Sequence, residues 1–286
     1  MTHAIAPILF ILVWSTGFVV ARAVAPEADP NLFLTARFLC AAAVLALLAR
    51  RAGVAWPRLR DLPRHLLAGG LLHGLYLGAG YWAVAQGLPA AIMALAGALQ
   101  PPATAVLAQL FFGERPSPRS WLGMALGLGG VALAVAPGLA RAGAEPVPVS
   151  AILAALVSVA GITAGTLFQK TSLARCDLRG AGAVQLLGGA LVVAALALIL
   201  GESHWSGSAV LWLNLGYAAL ALSVGGATLL VWMVRRGEAA AVTALLFLAP
   251  PLAAVQAYLF FGQALSGAQW AGFGVALVGV FLAGRR

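Results

Sequence analysis

The sequence predicts an all-α integral membrane protein: ten transmembrane helices arranged as two inverted five-helix repeats. Three observations predict it. The chain is 62% hydrophobic and only 9% charged, with a mean hydropathy of +0.98, against about a quarter charged residues in soluble domains. About ten apolar runs reach the roughly 20 residues that a helix needs to cross the hydrocarbon core. The second half also repeats the first: "PPATAVLAQLFFG" at Pro101–Gly113 returns as "PPLAAVQAYLFFG" at Pro250–Gly262, 149 positions later without a gap.

The spans are expected near residues 4–24, 31–49, 64–86, 89–111, 119–137, 149–170, 180–200, 209–234, 239–261 and 267–284. The first reads as a spanning helix, with almost no basic region before it and no small-residue cleavage site after it. Connections such as "APEADPN", "GERPSPR" and "GESHWSGS" are short and marked by Pro, Gly or charge. Arg50, Arg51, Arg58, Arg60 and Arg64 fall in the second connection, and Arg115 and Arg119 in the fourth. Lys170, Arg175 and Arg179 fall in the sixth, Arg235 and Arg236 in the eighth, and Arg285 and Arg286 at the C-terminus. The odd connections carry Glu27, Asp29, Glu145 and Glu202, with Arg141 alone as a basic residue. Basic loops stay cytoplasmic, so both termini are expected there. The pI near 11.0 then reflects orientation, and nucleic acid is not an expected partner. Cys40 and Cys176 support neither a disulfide framework nor a paired-cysteine metal motif, and no cofactor is expected.

The offset extends to Trp121 and Trp270, Gly123 and Gly272, and Gly130 and Gly279. It divides the chain into repeats at 1–140 and 141–286. Five helices is an odd number, so the second copy enters the membrane in the opposite sense. This is the plan of secondary transporters, with a substrate site near the midplane between repeats.

The stretch "WSTGFVVAR" (Trp14–Arg22), the doubled "PP…FFG" block followed by Glu114 or Gln263, and the ten-span layout resemble the drug/metabolite transporter superfamily, in its EamA-type branch. The resemblance covers essentially the full length and is greatest to the YddG-type amino-acid exporters. It implies a central cavity lined by helices 1, 3, 4, 6, 8 and 9, helices 5 and 10 at the periphery, and export of amino acids and related metabolites. The expected location is the bacterial inner (plasma) membrane.

Proline lacks an amide hydrogen and clashes with the carbonyl four residues earlier. Pro101 and Pro102 should therefore free the carbonyls of Gly97 and Ala98, and Pro250 and Pro251 those of Leu246 and Phe247. Unpaired carbonyls are tolerated only against protein, water or ligand. The four prolines are thus candidate hinges facing the interior, their freed carbonyls candidate partners for a substrate ammonium, with a packing kink as the alternative.

Candidate substrate contacts are the aromatic and polar residues inside the spans: Trp14 and Thr16 in helix 1; His73, Tyr76 and Tyr81 in helix 3; Gln100 in helix 4; Thr163, Phe168 and Gln169 in helix 6; Ser223, Thr228 and Trp232 in helix 8 and Phe247 in helix 9. For the hydroxyls, a bond to their own or a neighbouring helix is the alternative. Tyr76 and Tyr81 lie about 140° apart on a helix and cannot face one way. Such a chamber suits neutral, aromatic or hydrophobic amino acids. Arg22, Arg37 and Lys170 are placed at span ends, where they anchor the protein, while Arg22 and Lys170 are also candidate gates or attractors of substrate carboxylates. None of the eight carboxylates falls mid-span, so transport is expected to be uniport rather than proton-coupled. The partners implied are a small-molecule substrate and the lipid bilayer. The rival readings are a broad drug or organic-cation exporter and a membrane enzyme, although no "HExxH", "GxSxG" or phosphate loop appears. Composition says nothing of the oligomeric state.

Overall fold

The structure is a computed structural model, and it describes residues 2–141, 147–170, 176–236, 242–261 and 265–284. Arg175, Arg285, Arg286, Glu145, Glu238 and the repeat residue Gly262 lie outside the described residues.

Described residues are nearly all helical. Helix α1 is Thr2–Val24 and α2 is Pro30–Arg51. Helix α3 is built from Leu62–Gly69, a π-helical segment Gly70–Leu75, and Tyr76–Ala85. Helix α4 is broken into Ala90–Gly97 and Gln100–Phe112. Then come α5 (Pro118–Arg141), α6 (Val149–Phe168) and α7 (Leu178–Leu200). Helix α8 joins Ala209–Tyr217, a π-helical Ala218–Ala227 and Thr228–Arg236. A 3₁₀ segment Ala244–Leu248 leads into Ala249–Phe261, together α9, and α10 is Gly267–Ala283. Seven stretches are long and apolar enough to cross a membrane: Ile5–Val24, Pro30–Arg51, Ile92–Phe112, Pro118–Pro137, Val149–Phe168, Leu178–Leu200 and Ala209–Arg236. The apolar helices Ala244–Gln256 and Gly267–Ala283 are shorter. Outward-facing residues such as Leu198 (83% exposed) and Phe111 (74%) present hydrocarbon rather than polar surface, as a lipid-facing shell requires.

The breaks fall where the sequence lacks donors. Pro101 and Pro102 sit in the first turn of the restarted α4 helix, a position where no amide is needed and proline's φ is already helical. The 3₁₀ segment of α9 stands immediately before Pro250 and Pro251, so both halves interrupt the same place. The π segments also correspond, since residues 70–75 moved by 149 become 219–224, inside Ala218–Ala227. Gly113 and Gly201 close α4 and α7 in the left-handed region, at φ 67° and 68°, which glycine adopts without a Cβ penalty.

The repeats meet through contacts that map onto one another. A Cβ on Gly123 would stand 2.6 Å from the Gly279 carbonyl, and one on Gly130 would stand 2.7 Å from the Gly272 carbonyl. Rising numbers on α5 meet falling numbers on α10, so these equivalent helices are antiparallel. Moving each contact by the 149-residue offset turns the first into the second. Helix α3 is wedged just as tightly between α6 and α7: a Cβ on Gly69 would be 1.7 Å from the Gln185 carbonyl, and one on Gly165 would be 2.6 Å from the Leu72 amide. Small residues allow this close approach where lipid offers no hydrophobic drive between helices.

The connections divide between two ends. At one, Ala28 bridges Trp205; the Asp29 carboxylate accepts from the amides of Ser203 and His204 at 2.8 Å each; and Glu202 accepts from the Asn31 amide at 2.7 Å and its side chain at 2.6 Å. At the other, Lys170 pairs with Glu114, and the Arg235 guanidinium donates to the Cys176 carbonyl at 2.8 Å. Among the described residues, the first and seventh connections thus meet at an acidic end, while Glu114 of the fourth meets Lys170 at the start of the sixth, and Arg235 at the end of α8 meets Cys176 of the sixth, at a basic one.

Candidate functional site

The π segment of α3 carries His73 and leads directly into Tyr76. An extra residue in the turn re-aims the side chains that follow, which is why such segments accompany functional sites. Ser158 of α6 pins the segment by donating to the Tyr76 carbonyl at 2.6 Å. Tyr76 faces α1, where its ring stacks on Trp14 with centroids 6.5 Å apart and planes 6° from parallel; Phe10 tilts against the other side of Trp14 at 5.2 Å. Tyr81 points instead towards α2 and hydrogen-bonds Arg37. The two tyrosines therefore diverge, as their spacing requires. His73 is buried with its ring 5.9 Å from Phe38.

Arg37 corrects the expectation from sequence. Rather than anchoring a span end, it stands seven residues, about 10 Å, along α2 from Pro30 and is 5% exposed. Its Nε donates to Ser223 Oγ at 2.8 Å, and its guanidinium carbon lies 5.7 Å from the Phe38 ring centre. The signal was an arginine inside an apolar run, where an ionisable residue is a functional candidate by default.

Ser223 and His73 line a narrow cavity with Gln185, Leu186, Thr228 and Arg235, so the walls are α2, α3, α7 and α8. Of the six helices expected to line a central cavity, only α3 and α8 border this small one, with α2 and α7 as its other walls; α1, α4, α6 and α9 supply none of its lining residues. Near the basic end a buried amide pair closes one wall: Gln169 donates to Gln185 at 2.8 Å, and Arg235 reaches Gln169 at 3.4 Å. Beyond Arg235 lies a wide basin lined by Arg58, Arg60, Asp61, Arg64, Cys176 and Asp177. Arg179 holds the Asp177 carboxyl below the usual carboxylate range by hydrogen bonding. Ser223 and Thr228 of helix 8 are also among the sequence candidates, whereas Gln185 and Arg235 are not. Nothing in sequence spacing couples Gln185 to Gln169.

The other predicted residues lie in several settings. Gln100 is 1% exposed; its Nε2 and the Thr104 Oγ1 one turn later have no protein partner, nor has Thr166 Oγ1 on α6. Thr163 bonds back to the Val159 carbonyl at 2.7 Å. Thr16 donates to the Val13 carbonyl and meets Tyr217 at 2.8 Å. Phe247 is fully buried on the α5 glycine Gly127, where a Cβ would sit 2.4 Å from its ring. Trp232 lies beneath Arg236, 4.6 Å from the guanidinium carbon. Arg22 is exposed at the end of α1, and Phe168 is partly buried at the end of α6. Among the described residues no three His, Cys, Asp or Glu side chains converge on a metal site.

The EamA-like transporter family model matches residues 2–136 and again 149–285. The chain belongs to the EamA-like transporter family. This EamA protein is accordingly an integral membrane transporter and not an enzyme. It is 27% identical over 274 residues to the uncharacterized inner membrane transporter YedA of Escherichia coli (strain K12), with 95% of this chain and 87% of the relative covered. It is 29% identical over 289 residues to a probable terminal-alkyne amino-acid exporter of Streptantibioticus cattleyicolor, with 98% and 93% covered. A solved structure titled only "Crystal structure of protein" superposes with a TM-score of 0.82 at 22% identity, with 98% and 95% covered. At that identity the likeness concerns the fold alone.

Proposed function

We propose that this EamA protein exports neutral, aromatic or hydrophobic amino acids and related metabolites from the cytoplasm, by alternating access and as a uniporter. The observation that carries the reading is the Trp14–Tyr76 stack, packed against a buried hydrophobic cluster that includes Phe10, Leu72 and Ile162. An aromatic face receives an apolar side chain, while convergent polar atoms orient the rest of a small ligand. The unpaired Gln100 Nε2 and Thr104 Oγ1 supply such atoms beside the α4 break, with Pro101, Pro102, Pro250 and Pro251 as hinges. The relative named as a probable amino-acid exporter favours the same substrate class.

In this reading ten helices span the bacterial plasma membrane as repeats 1–140 and 141–286, with the basic end and both termini cytoplasmic. The described carboxylates all sit in connections, so none is placed to exchange a proton for substrate mid-membrane, which supports facilitated movement. The test is counterflow of labelled amino acids in liposomes containing the purified protein. Saturable phenylalanine counterflow that an imposed pH gradient cannot drive uphill is expected; absence of counterflow by any neutral amino acid refutes the substrate class, and uphill movement refutes uniport.

A further inference from the structure

We propose that Arg37 is the counter-charge for the substrate carboxylate, and that the transporter therefore carries apolar monocarboxylates whether or not they bear an amine. This rests on the export reading above and narrows it. The contacts given to Arg37 are neutral: the Ser223 hydroxyl, the Tyr81 phenol and the Phe38 ring. The ion pairs among the described residues are Arg60–Asp61, Arg64–Asp61, Lys170–Glu114 and Arg179–Asp177, and none includes it. The remaining described carboxylates are held at the acidic end, Glu27 by Ser206 and Ser208, Asp29 by the amides of Ser203 and His204, and Glu202 by Asn31.

A guanidinium buried in this way, 5% exposed, carries a desolvation penalty that an anion would compensate. Packing does not require that charge. Moving position 37 by 149 gives Leu186, a fully buried residue of the same α2–α7 core. The second half thus fills the equivalent place with hydrocarbon, and the charge in the first half has another use. Ser223, which holds the guanidinium, lines the cavity together with His73 and Arg235, and Arg58, Arg60 and Arg64 line the separate basin. Arg37 thus stands one hydrogen bond behind the cavity wall, and positive groups on the wall and in the basin attract anions towards it; its guanidinium is a planar fork of donors suited to a carboxylate.

Nothing equivalent awaits an ammonium group. Backbone carbonyls at the α4 break offer only partial charges, and the described spans hold no carboxylate. An α-amine is then tolerated rather than required, and cations are repelled. This separates the chain from an organic-cation exporter.

The experiment measures inhibition of labelled phenylalanine counterflow in liposomes by five compounds: unlabelled phenylalanine, N-acetylphenylalanine, 3-phenylpropanoate, phenylalaninamide and 2-phenylethylamine. The three carboxylates are expected to compete within about threefold of one another, and the amide and amine to be at least tenfold weaker. Arg37→Leu is expected to abolish counterflow while eluting as a folded protein, with Arg37→Lys retaining part of it. Equal competition by phenylalaninamide overturns the role of Arg37, as does undiminished transport by Arg37→Leu. Competition by phenylalanine but not by the two amine-free carboxylates overturns the tolerance of a missing amine, yet leaves amino-acid export standing. Failure of phenylalanine itself, with transport of 2-phenylethylamine, overturns the export reading.

Discussion

The α5–α10 contact gives a quantitative test of the inverted repeat. Gly123→Ala would put a Cβ 2.4 Å from the Ala283 amide nitrogen and 2.6 Å from the Gly279 carbonyl, and Gly272→Ala would put one 2.5 Å from the Ala134 nitrogen and 2.6 Å from the Gly130 carbonyl. Each obstacle is backbone, so relief requires the helices to part by about 1 Å over the crossing. Overpacking of this kind costs about 1–3 kcal/mol, or a Tm fall of roughly 2–12 °C at about 2–4 °C per kcal/mol. Because the two sites are images of each other, their losses should agree within about 0.5 kcal/mol. Gly123 and Gly272 meet different stretches of the crossing, so the double variant should be additive. Gly123 and Gly279 face each other, so once one Ala has parted the helices the second adds less than its own cost. Gly129→Ala and Gly274→Ala, which meet nothing within 4 Å, are the controls and should be neutral or gain up to about 1 kcal/mol of helix propensity. Thermal unfolding of the detergent-solubilised protein measures all of them. Unequal losses at Gly123 and Gly272, or wild-type stability in both, refute the symmetric antiparallel packing.

The Lys170–Glu114 pair has only 16% and 15% of its side chains exposed; Lys170→Met and Glu114→Gln should each destabilise, with a coupling of about 0.5–3 kcal/mol in a double-mutant cycle. Glu202→Ala removes a carboxylate that accepts from the Asn31 and Leu32 amides at 2.7 and 3.1 Å, and should cost about 1–2 kcal/mol as the loss of an N-terminal cap of α2. Ser206 and Ser208 hold the Glu27 carboxyl below its ordinary value near 4.5. Its contribution to the acidic-end strap is therefore complete above that value and disappears as pH falls through the depressed native one. Trp205 fluorescence should report strap opening at acid pH, and the Glu27→Gln protein should lack that part of the change.

Composition and repetition made the membrane class and the duplicated plan legible, because hydrocarbon thickness and donorless prolines leave marks in sequence. The break before Gln100 was foreseeable from Pro101 and Pro102. The π segments were not, since an extra residue per turn in "GLLHGL" is imposed by glycine contacts with α6 and α7 rather than by local propensity. Trp14 and Tyr76 belong to one stack, as their residue types suggested, whereas Phe247 looked like a ligand surface and proved to be packing on Gly127. Its partner is a glycine on another helix, which no local spacing encodes. Arg37 was visible but misplaced, because its distance from Pro30 was taken for proximity to an interface.

The halves share a scaffold but not a chemistry. Under the same offset, Arg37 corresponds to Leu186, His73 to Leu222, Tyr76 to Gly225, Tyr81 to Leu230 and Gln100 to Ala249. At these five positions charge, aromatic rings and amide stand in the first half and aliphatic or small side chains in the second, whose own polar groups, Gln185, Thr228 and Arg235, line the cavity from other positions. Under the proposed function, a ligand held at these first-half positions would keep those contacts as the second half moves past it. Apolar surfaces slide at little cost, because one hydrocarbon contact replaces another without leaving a donor unpaired. The exception is Ser223, which bonds Arg37 across the seam. Ser223→Ala removes the bond that the second half makes to that guanidinium, and should raise the counterflow rate or loosen substrate affinity without shifting the preference for carboxylates over amides. Loss of that preference would place specificity in Ser223 as well, and would contradict a carboxylate subsite that rests on Arg37.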